Sequence, residues 1–324
     1  MNTTPTTSEK WSTSYTVVGG KTLGSKGCMP GELSVVVLGR SGKIFRRELL
    51  VALDKAGVSD IISMEGTSAS YDVEQMSITF PRVRFLILHK EVSTGEQVNI
   101  GISEARGDNV LVLKDDMRIT TTLISSRLME KIITAGSLCT VPVLLNQKIE
   151  SIPSIQAPAF FRKNLKVMQL LPRTDGIESL FPFDYAGIYN REKFLGIYGY
   201  DGTLLNPYWQ KMDFGFRAHM WGERITCLTS FKLTYLGDIP AEDATPDESY
   251  KFFFLKNLSI RFTGDSGVLP SARFLSFMFK AGAGFLRALR DFNMVRKWVE
   301  ANAFRFQSDA RSVTELWEIP HHEG

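Results

Sequence analysis

Two adjacent carboxylates, Asp115 and Asp116, are the side chains of this sequence whose types and position best suit chemistry. Residues 110–113 before them are all apolar, which is typical of a strand covered on both faces. Ligands of open α/β sheets bind beyond the carboxyl ends of the strands. Two carboxylates side by side repel each other, and a divalent cation or a polyhydroxyl ligand would relieve that repulsion. The structural alternative is an Asp pair in a turn that caps the next helix.

The elements before and after this pair alternate between strand and helix patterns. Strands are predicted at 33–38, 60–65, 83–88, 110–113 and 140–145, and helices at about 43–56, 96–105 and 121–134. The strands are rich in β-branched residues, and Gly57 is a typical helix stop. This alternation predicts an α/β fold with a mostly parallel sheet. The stretch 146–184 contains several prolines and is predicted to be irregular.

The segment from Asn99 to Met117 resembles the glycosyltransferase family 2 pattern of the GT-A fold. In that pattern a helix leads through Gly-Asp, here Gly107 and Asp108, into a strand that ends in an acidic motif. Further runs similar to the acceptor side of the family lie at 188–194, 199–201, 209–217 and 222–225. The resemblance covers about 34–238. It implies a GT-A-type mostly parallel, Rossmann-like sheet flanked by helices, and an enzyme that moves a sugar from a nucleotide-sugar donor with inversion.

The resemblance assigns the donor side to three acidic residues. Asp116 would hold Mn²⁺ or Mg²⁺, and Asp115 would approach the ribose or the metal. Such a cation would offset the charge that develops on the leaving diphosphate. Glu65 would read the base of the nucleotide, which predicts a UDP-sugar, because a carboxylate can accept an N–H from uracil. The family usually has a further acid directly before Glu65 and another directly before Asp115. Here these positions hold Met64 and Lys114.

The acceptor side departs further from the family pattern. Gln210 and Lys211 stand where an acidic pair usually supplies the general base. Asp213 follows and is one candidate for that base, and Asp201 or Asp184 could take the role instead. The resemblance implies a glycan or a lipid-linked molecule as the acceptor.

A second hypothesis comes from three departures taken together, at Met64, at Gln210-Lys211 and at Tyr235, where a metal-binding histidine often stands in the family. Each removes a group with a specific chemical task. The alternative to an enzyme is therefore a catalytically inactive glycosyltransferase-like protein that binds a nucleotide-sugar, a glycan or a partner enzyme.

Composition narrows the class of protein. The 324 residues carry a net charge of +3, and outside the C-terminal region the basic residues are scattered, which argues against nucleic acid as a partner. Three widely spaced cysteines indicate neither a disulfide framework nor a zinc site. No run of about 18 apolar residues occurs, and the N-terminus has no apolar core. A cytoplasmic location is therefore expected.

Three regions are predicted along the chain. Residues 1–30 are expected to be a flexible tail, 31–238 the GT-A domain, and 239–324 a mainly helical extension. The extension is rich in Phe, Lys and Arg, with Phe274, Phe277 and Phe285 at helical spacing. Such a region could contact the inner face of an anionic membrane peripherally, and ordinary helix packing is the alternative.

Overall fold

The computed structural model describes residues 13–20, 32–40, 43–67, 72–119, 125–162, 164–281 and 284–318. The strands are β1 (Tyr15–Gly19), β2 (Leu33–Leu38), β3 (Asp60–Glu65), β4 (Val83–Leu88), β5 (Asn109–Lys114), β6 (Met117–Arg118), β7 (Cys139–Leu145), β8 (Ile155–Phe161), β9 (Asn164–Leu170), β10 (Gly187–Asn190), β11 (Ile225–Tyr235), β12 (Arg261–Thr263) and β13 (Ser266–Val268). The helices are α1 (Lys43–Lys55), α2 (Val73–Thr79), α3 (Thr94–Glu104), α4 (Ser126–Ala135), α5 (Arg191–Gly196), α6 (Pro207–Met220), α7 (Glu248–Phe253), α8 (Arg273–Ala281), α9 (Phe285–Asn302) and α10 (Ala310–Glu315).

Nine strands of the described ranges form one sheet in the order β1-β4-β3-β2-β5-β10-β7-β11-β6. Strands β4, β3, β2 and β5 pair in parallel, and so do β7 and β11. Strand β10 lies between β5 and β7 and is antiparallel to both. The central strands β2 and β5 are mainly apolar and are buried along their whole length, as sheets covered by helices on both faces require. The predicted mostly parallel sheet flanked by helices is confirmed.

The topology brings several segments to one edge of the sheet. The parallel strands β2, β3, β5 and β11 all end there, while the antiparallel strand β10 begins there. Residues at the ends of β2, β3, β5 and β11 therefore meet the residues that precede β10. Strand β6 adds to this edge, because Met117 pairs with Tyr235 directly after the turn that holds Asp116.

Two stretches differ from the sequence prediction. Tyr15–Gly19, within the predicted flexible tail, is a strand that pairs antiparallel with β4, from Tyr15 opposite Leu88 to Gly19 opposite Arg84. Its β-branched residues favour a strand, and pairing with β4 outweighs the tendency of the following glycines to interrupt regular structure. The prediction of a tail is wrong at these positions, and residues 1–12 and 21–31 lie outside the described residues. The predicted irregular stretch 146–184 contains the hairpin β8–β9, where Pro158 is tolerated because the pair stands apart from the main sheet.

The C-terminal region is mainly helical, as expected, and packs on the sheet domain. Phe253, Phe292 and Phe306 belong to the same buried hydrophobic cluster as Phe214 of α6. The chain between α7 and β12 passes through a π-helical segment, Phe254–Leu258, a conformation frequent at functional sites. Among the helices that the structure describes, none has the length and apolarity needed to cross a membrane.

Candidate functional site

Side chains from six segments meet at the edge where the parallel strands end. They are Arg40 after β2, Arg46 on α1, Glu65 at the end of β3, Asp115 and Asp116 after β5, Asp184 before β10, and Tyr235 at the end of β11. The structure thus brings together the three predicted donor-side acids, and it adds Asp184, the third candidate for the base.

The first group joins Glu65 and Asp115 through Arg46. The guanidinium lies 2.6 Å from Oε1 of Glu65 and 3.1 Å from Oδ2 of Asp115, and all three side chains are at most 4% exposed. Ser63 donates a further hydrogen bond of 2.7 Å to Oε1 of Glu65. The backbone N–H of Arg40 donates to Oδ1 of Asp115 at 2.9 Å. One buried cation therefore compensates the two carboxylates and fixes their orientation.

The second group joins Asp116 and Asp184 through Arg40. Its guanidinium lies 3.2 Å from Oδ2 of Asp116 and also contacts Oδ2 of Asp184. The hydroxyl of Tyr235 donates to the same Asp184 oxygen at 3.0 Å. Within the described ranges, the buried atom Oδ1 of Asp116 has no hydrogen-bond partner. Burial raises the pKa of Asp116, and Arg40 opposes that shift. This oxygen of Asp116 is therefore an acceptor that the described residues leave unsatisfied.

The backbone at Asp184 is strained. Asp184 and Tyr185 have φ angles of 53° and 62°, in the left-handed region that residues other than glycine seldom occupy. Such residues cost about 1–3 kcal/mol each and cluster at active sites and ligand clamps. The turn is held by the hydroxyl of Tyr185, which donates to Oε1 of Gln210 at 2.8 Å. The strain thus places the Asp184 carboxylate against Arg40 and Tyr235.

Two buried lysines lie against the ring of Tyr185. Nζ of Lys114 is 6.0 Å from the ring centroid and Nζ of Lys211 is 5.4 Å from it. Burial lowers the pKa of Lys114 to about 8. Lys211 also forms an ion pair with Glu242 and lies over the rings of Phe181 and Phe183. The position at which the family usually has an acid therefore carries a buried cation next to the site.

The two other candidates for the general base, Asp201 and Asp213, meet each other in a separate buried cluster. Nζ of Lys256 lies 2.7 Å from Asp201 and 3.2 Å from Asp213. Asp213 also binds Arg217 at 3.1 Å and accepts a hydrogen bond of 2.9 Å from Asn257. Burial opposes its ionisation, but Lys256 and Arg217 hold the pKa of Asp213 below its usual range. These contacts favour a structural role, and the catalytic roles of both residues stay predictions.

The side chains at this edge do not fit a resident Mn²⁺ or Mg²⁺, both of which prefer several oxygen ligands. Among the described residues, no group of three or more His, Cys, Asp or Glu side chains could hold a metal ion. Oδ1 of Asp116 is free, but the facing oxygens of Asp116 and Asp184 are bound to Arg40. Tyr235 keeps its proton, because burial and Asp184 raise its pKa. The predicted role of Asp116 as a metal ligand stays a prediction.

The arginines of the site were missed in the sequence, although a signal for one of them was present. Arg40 follows β2 by two positions, so the rule that singled out Asp115 and Asp116 after their strand applies to it equally. Arg46 lies within α1, and only the tertiary structure directs its side chain to the sheet edge.

The overall arrangement is similar to solved glycosyltransferases. No protein-family model matches the chain, and no curated protein matches it. The crystal structure of GalNAc-T7 with UDP, GalNAc and Mn²⁺ superposes with a TM-score of 0.54 at 12% identity, over 84% of this chain and 57% of that one. S. aureus TarS gives 0.51 at 12% identity, over 88% of this chain and 45% of TarS.

TarS residues 1–349 in complex with UDP-GlcNAc give a TM-score of 0.52 at 11% identity, over 89% of this chain and 76% of that one. The chain thus spans about half the length of GalNAc-T7 and of the longer TarS structure. At these identities the likeness concerns the fold. The sheet of this chain, with its flanking helices, has the GT-A fold of glycosyltransferases.

Proposed function

We propose that this protein is a glycosyltransferase that moves a sugar from a nucleotide-sugar donor, a UDP-sugar, to a glycan or a lipid-linked acceptor with inversion. The observation that carries the proposal is the convergence of Glu65, Asp115, Asp116 and Asp184 at the carboxyl edge of a GT-A sheet. Solved proteins of the same fold were crystallised with UDP and with UDP-GlcNAc, which supports the choice of donor.

The donor would bind across β3 and β5. The described hydrogen bonds of Glu65 end on Oε1, so Oε2 can accept the N–H of the uracil base. Asp115 is oriented by Arg46 and by the backbone N–H of Arg40, and it would meet the ribose. Asp116 lies next along the chain and binds Arg40, so it would act at the diphosphate end of the donor by orienting that guanidinium. The binding of Mn²⁺ or Mg²⁺ together with the diphosphate stays a prediction.

For the general base we propose Asp184 in preference to Asp201 and Asp213. The described contacts of its carboxylate, from Arg40 and Tyr235, both end on Oδ2, so Oδ1 can accept the proton of an acceptor hydroxyl. Asp184 is also the strained residue of the three. Asp201 and Asp213 are both bound to the buried Lys256 in the second cluster. Lys256 and Arg217 hold the pKa of Asp213 below its usual range, which makes Asp213 a weaker base.

The test compares three Asp to Asn variants in donor binding and in release of UDP from UDP-sugars. D184N is expected to keep donor affinity within a few-fold and to lower turnover by about 10²–10⁴-fold, the range for loss of a general base. D116N is expected to lower both. D54N is the matched control, because Asp54 is exposed on α1. Turnover in D184N equal to that in D54N would contradict the role of Asp184.

The catalytically inactive alternative has one observation in its favour. Lys211, in an ion pair with Glu242, occupies the position of the usual acidic pair. A protein of that kind would still be stabilised by a nucleotide-sugar in excess over its dissociation constant. It would release no UDP with any sugar donor or acceptor glycan. Binding without turnover would therefore favour this alternative over the enzyme.

The acceptor proposal includes contact with a membrane. Around the junction of α8 and α9, Phe279 and Leu286 are 81% and 80% exposed, and Leu275 and Phe285 are also exposed. The exposed side chain of Arg290 lies on α9 close to these residues. Exposed aromatic and aliphatic side chains beside cations are typical of surfaces that bind anionic lipids. A lipid-linked acceptor would be presented at such a surface.

A further inference from the structure

Arg40 already places a cation between Asp116 and Asp184. One nitrogen of its guanidinium contacts Asp116 at 3.2 Å, and another contacts Asp184. A divalent cation at this position would either displace the guanidinium or be repelled by its positive charge. The positive charge between these two carboxylates is therefore supplied by a side chain of the protein.

Arg40 also retains the means to bind an anion. A guanidinium has five N–H donors in a planar fork, which matches the geometry of phosphate oxygens. The described side-chain contacts direct two of its nitrogens to carboxylates, and the side chain is 26% exposed. Arg40 is thus more exposed than Arg46, whose side chain is 3% exposed and lies between Glu65 and Asp115. Of the two arginines that bind the carboxylates of the site, Arg40 is therefore the accessible one.

The surrounding charges favour an anion without a metal ion. Lys114 and Lys211 are two further cations at the same edge, next to the ring of Tyr185. Tyr235, at the position where the family often has a metal-binding histidine, instead donates a hydrogen bond to Asp184. The groups that would complete a cation site are thus replaced by groups that carry positive charge or donate hydrogen bonds.

We propose that Arg40 binds the diphosphate of the donor in place of a divalent cation, so that nucleotide binding is independent of metal. This inference rests on the proposed function, because it concerns the donor of that same site. Asp116 and Asp184 hold the guanidinium in position, and the diphosphate oxygens take its remaining N–H donors. When the diphosphate leaves, its charge is stabilised by a side chain that remains in the site.

The test is the affinity for UDP, GDP, CDP and ADP by titration calorimetry, with EDTA and with Mn²⁺. For the nucleotide that binds, the wild-type dissociation constant is expected to agree within about two-fold between the two conditions. R40A is expected to weaken binding about 10–150-fold in EDTA, as for loss of a charge-assisted hydrogen bond. Mn²⁺ should restore much of that loss in R40A, because Asp116 and Asp184 then face each other without a cation. The matched control R47A removes an exposed arginine of α1 and should bind like the wild type.

The outcomes separate the inference from the proposed function. Wild-type binding that is lost in EDTA, or R40A binding equal to that of R47A in EDTA, would overturn the role of Arg40 and leave the transferase proposal standing. No binding of any nucleotide by the wild type would contradict the transferase proposal itself, and the inference with it. R40K keeps the charge but loses the planar fork, and it is expected to show an intermediate loss in EDTA. If R40A does not unfold cooperatively, R40K carries the comparison.

Discussion

At the level of single residues, each acid of the site is paired with an arginine. Glu65 and Asp115 share Arg46, while Asp116 and Asp184 share Arg40. Removing one partner of a buried pair leaves an uncompensated charge and is usually costly. Substitutions at the arginines therefore need a stability measurement beside every activity measurement.

His219 gives a prediction about stability and pH. Its Nε2–H donates to the carbonyl oxygen of Ser179, and its ring lies edge-on to Trp317. Burial lowers its pKa from 6.5 to about 4. Between these values the unfolded chain binds a proton that the folded protein does not. The free energy of unfolding should therefore fall as the pH drops from 6.5 to 4, by at most about 3 kcal/mol from this group.

Urea unfolding at several pH values measures this effect. H219Q should retain a side-chain donor while losing the titration, so its stability should fall less steeply between pH 6.5 and 4. H89Q, at an exposed histidine, is the control and should follow the wild type. Parallel curves for the wild type and H219Q would refute the assignment.

Sequence alone identified part of the candidate site. Asp115 and Asp116 stood out because they follow a wholly apolar strand, and Glu65 because of its place in the resemblance. Arg46 could not be identified, since an arginine within a helix has no local feature that distinguishes a buried ion pair from a solvated one. Asp184 was one of three alternatives for the base. Its proximity to Asp116 through Arg40 and its strained backbone separate it from Asp201 and Asp213.

At the level of helices and strands, α8 and α9 give a prediction about membranes. Phe274 packs on Phe285 at 5.7 Å between ring centroids, so the two helices meet near their junction. Phe279 and Leu286 remain exposed there. The full chain should float with anionic vesicles and less with neutral ones, and high salt should weaken the binding.

The variant F279S/L286S should lose flotation with anionic vesicles, since it removes the two most exposed apolar side chains of this junction. F304S is the matched control, because Phe304 is 75% exposed but lies in the segment Ala303–Arg305 after α9. Equal flotation of the wild type and F279S/L286S would argue against the membrane surface.

The predictability of the elements followed their burial. Strands β2, β3 and β4 were predicted with their observed bounds, because each run contains consecutive apolar residues that are buried in the sheet. Strand β1 ends at a glycine and is partly exposed, and strand β9 is largely exposed, so neither has the pattern of a buried strand. The π-helical segment Phe254–Leu258 has no sequence signature that periodicity could detect. Its geometry depends on the contacts of Lys256 and Asn257 with α6.

At the level of the whole molecule, the C-terminal region stabilises the sheet domain through a lysine in its buried core. Lys256 is 4% exposed and neutralises both Asp201 and Asp213. K256M is expected to lower the free energy of unfolding by about 3–5 kcal/mol, because it leaves two buried carboxylates without this cation. K251M is the control: Lys251 pairs only with exposed Glu248 in the described contacts, and its loss should cost less than about 1 kcal/mol.

Chemical denaturation of the two variants measures this difference, and equal stabilities would contradict it. The same reasoning applies to the proposed boundary at residue 238. A chain that ends there lacks Lys256 and the aromatic residues that share the core with Phe214. It is expected to lack cooperative unfolding, so residues 31–238 would be a region of the fold without independent stability.

The distance along the chain between Asp213 and Lys256 has a consequence for synthesis. Lys256 follows Asp213 by 43 positions. On the ribosome, the two acids of this cluster emerge well before the ammonium group that neutralises them. The nascent sheet domain therefore lacks the cation that the burial of these acids requires until the π-helical segment leaves the exit tunnel. Final closure of the core is therefore expected to be a late step in the folding of this chain.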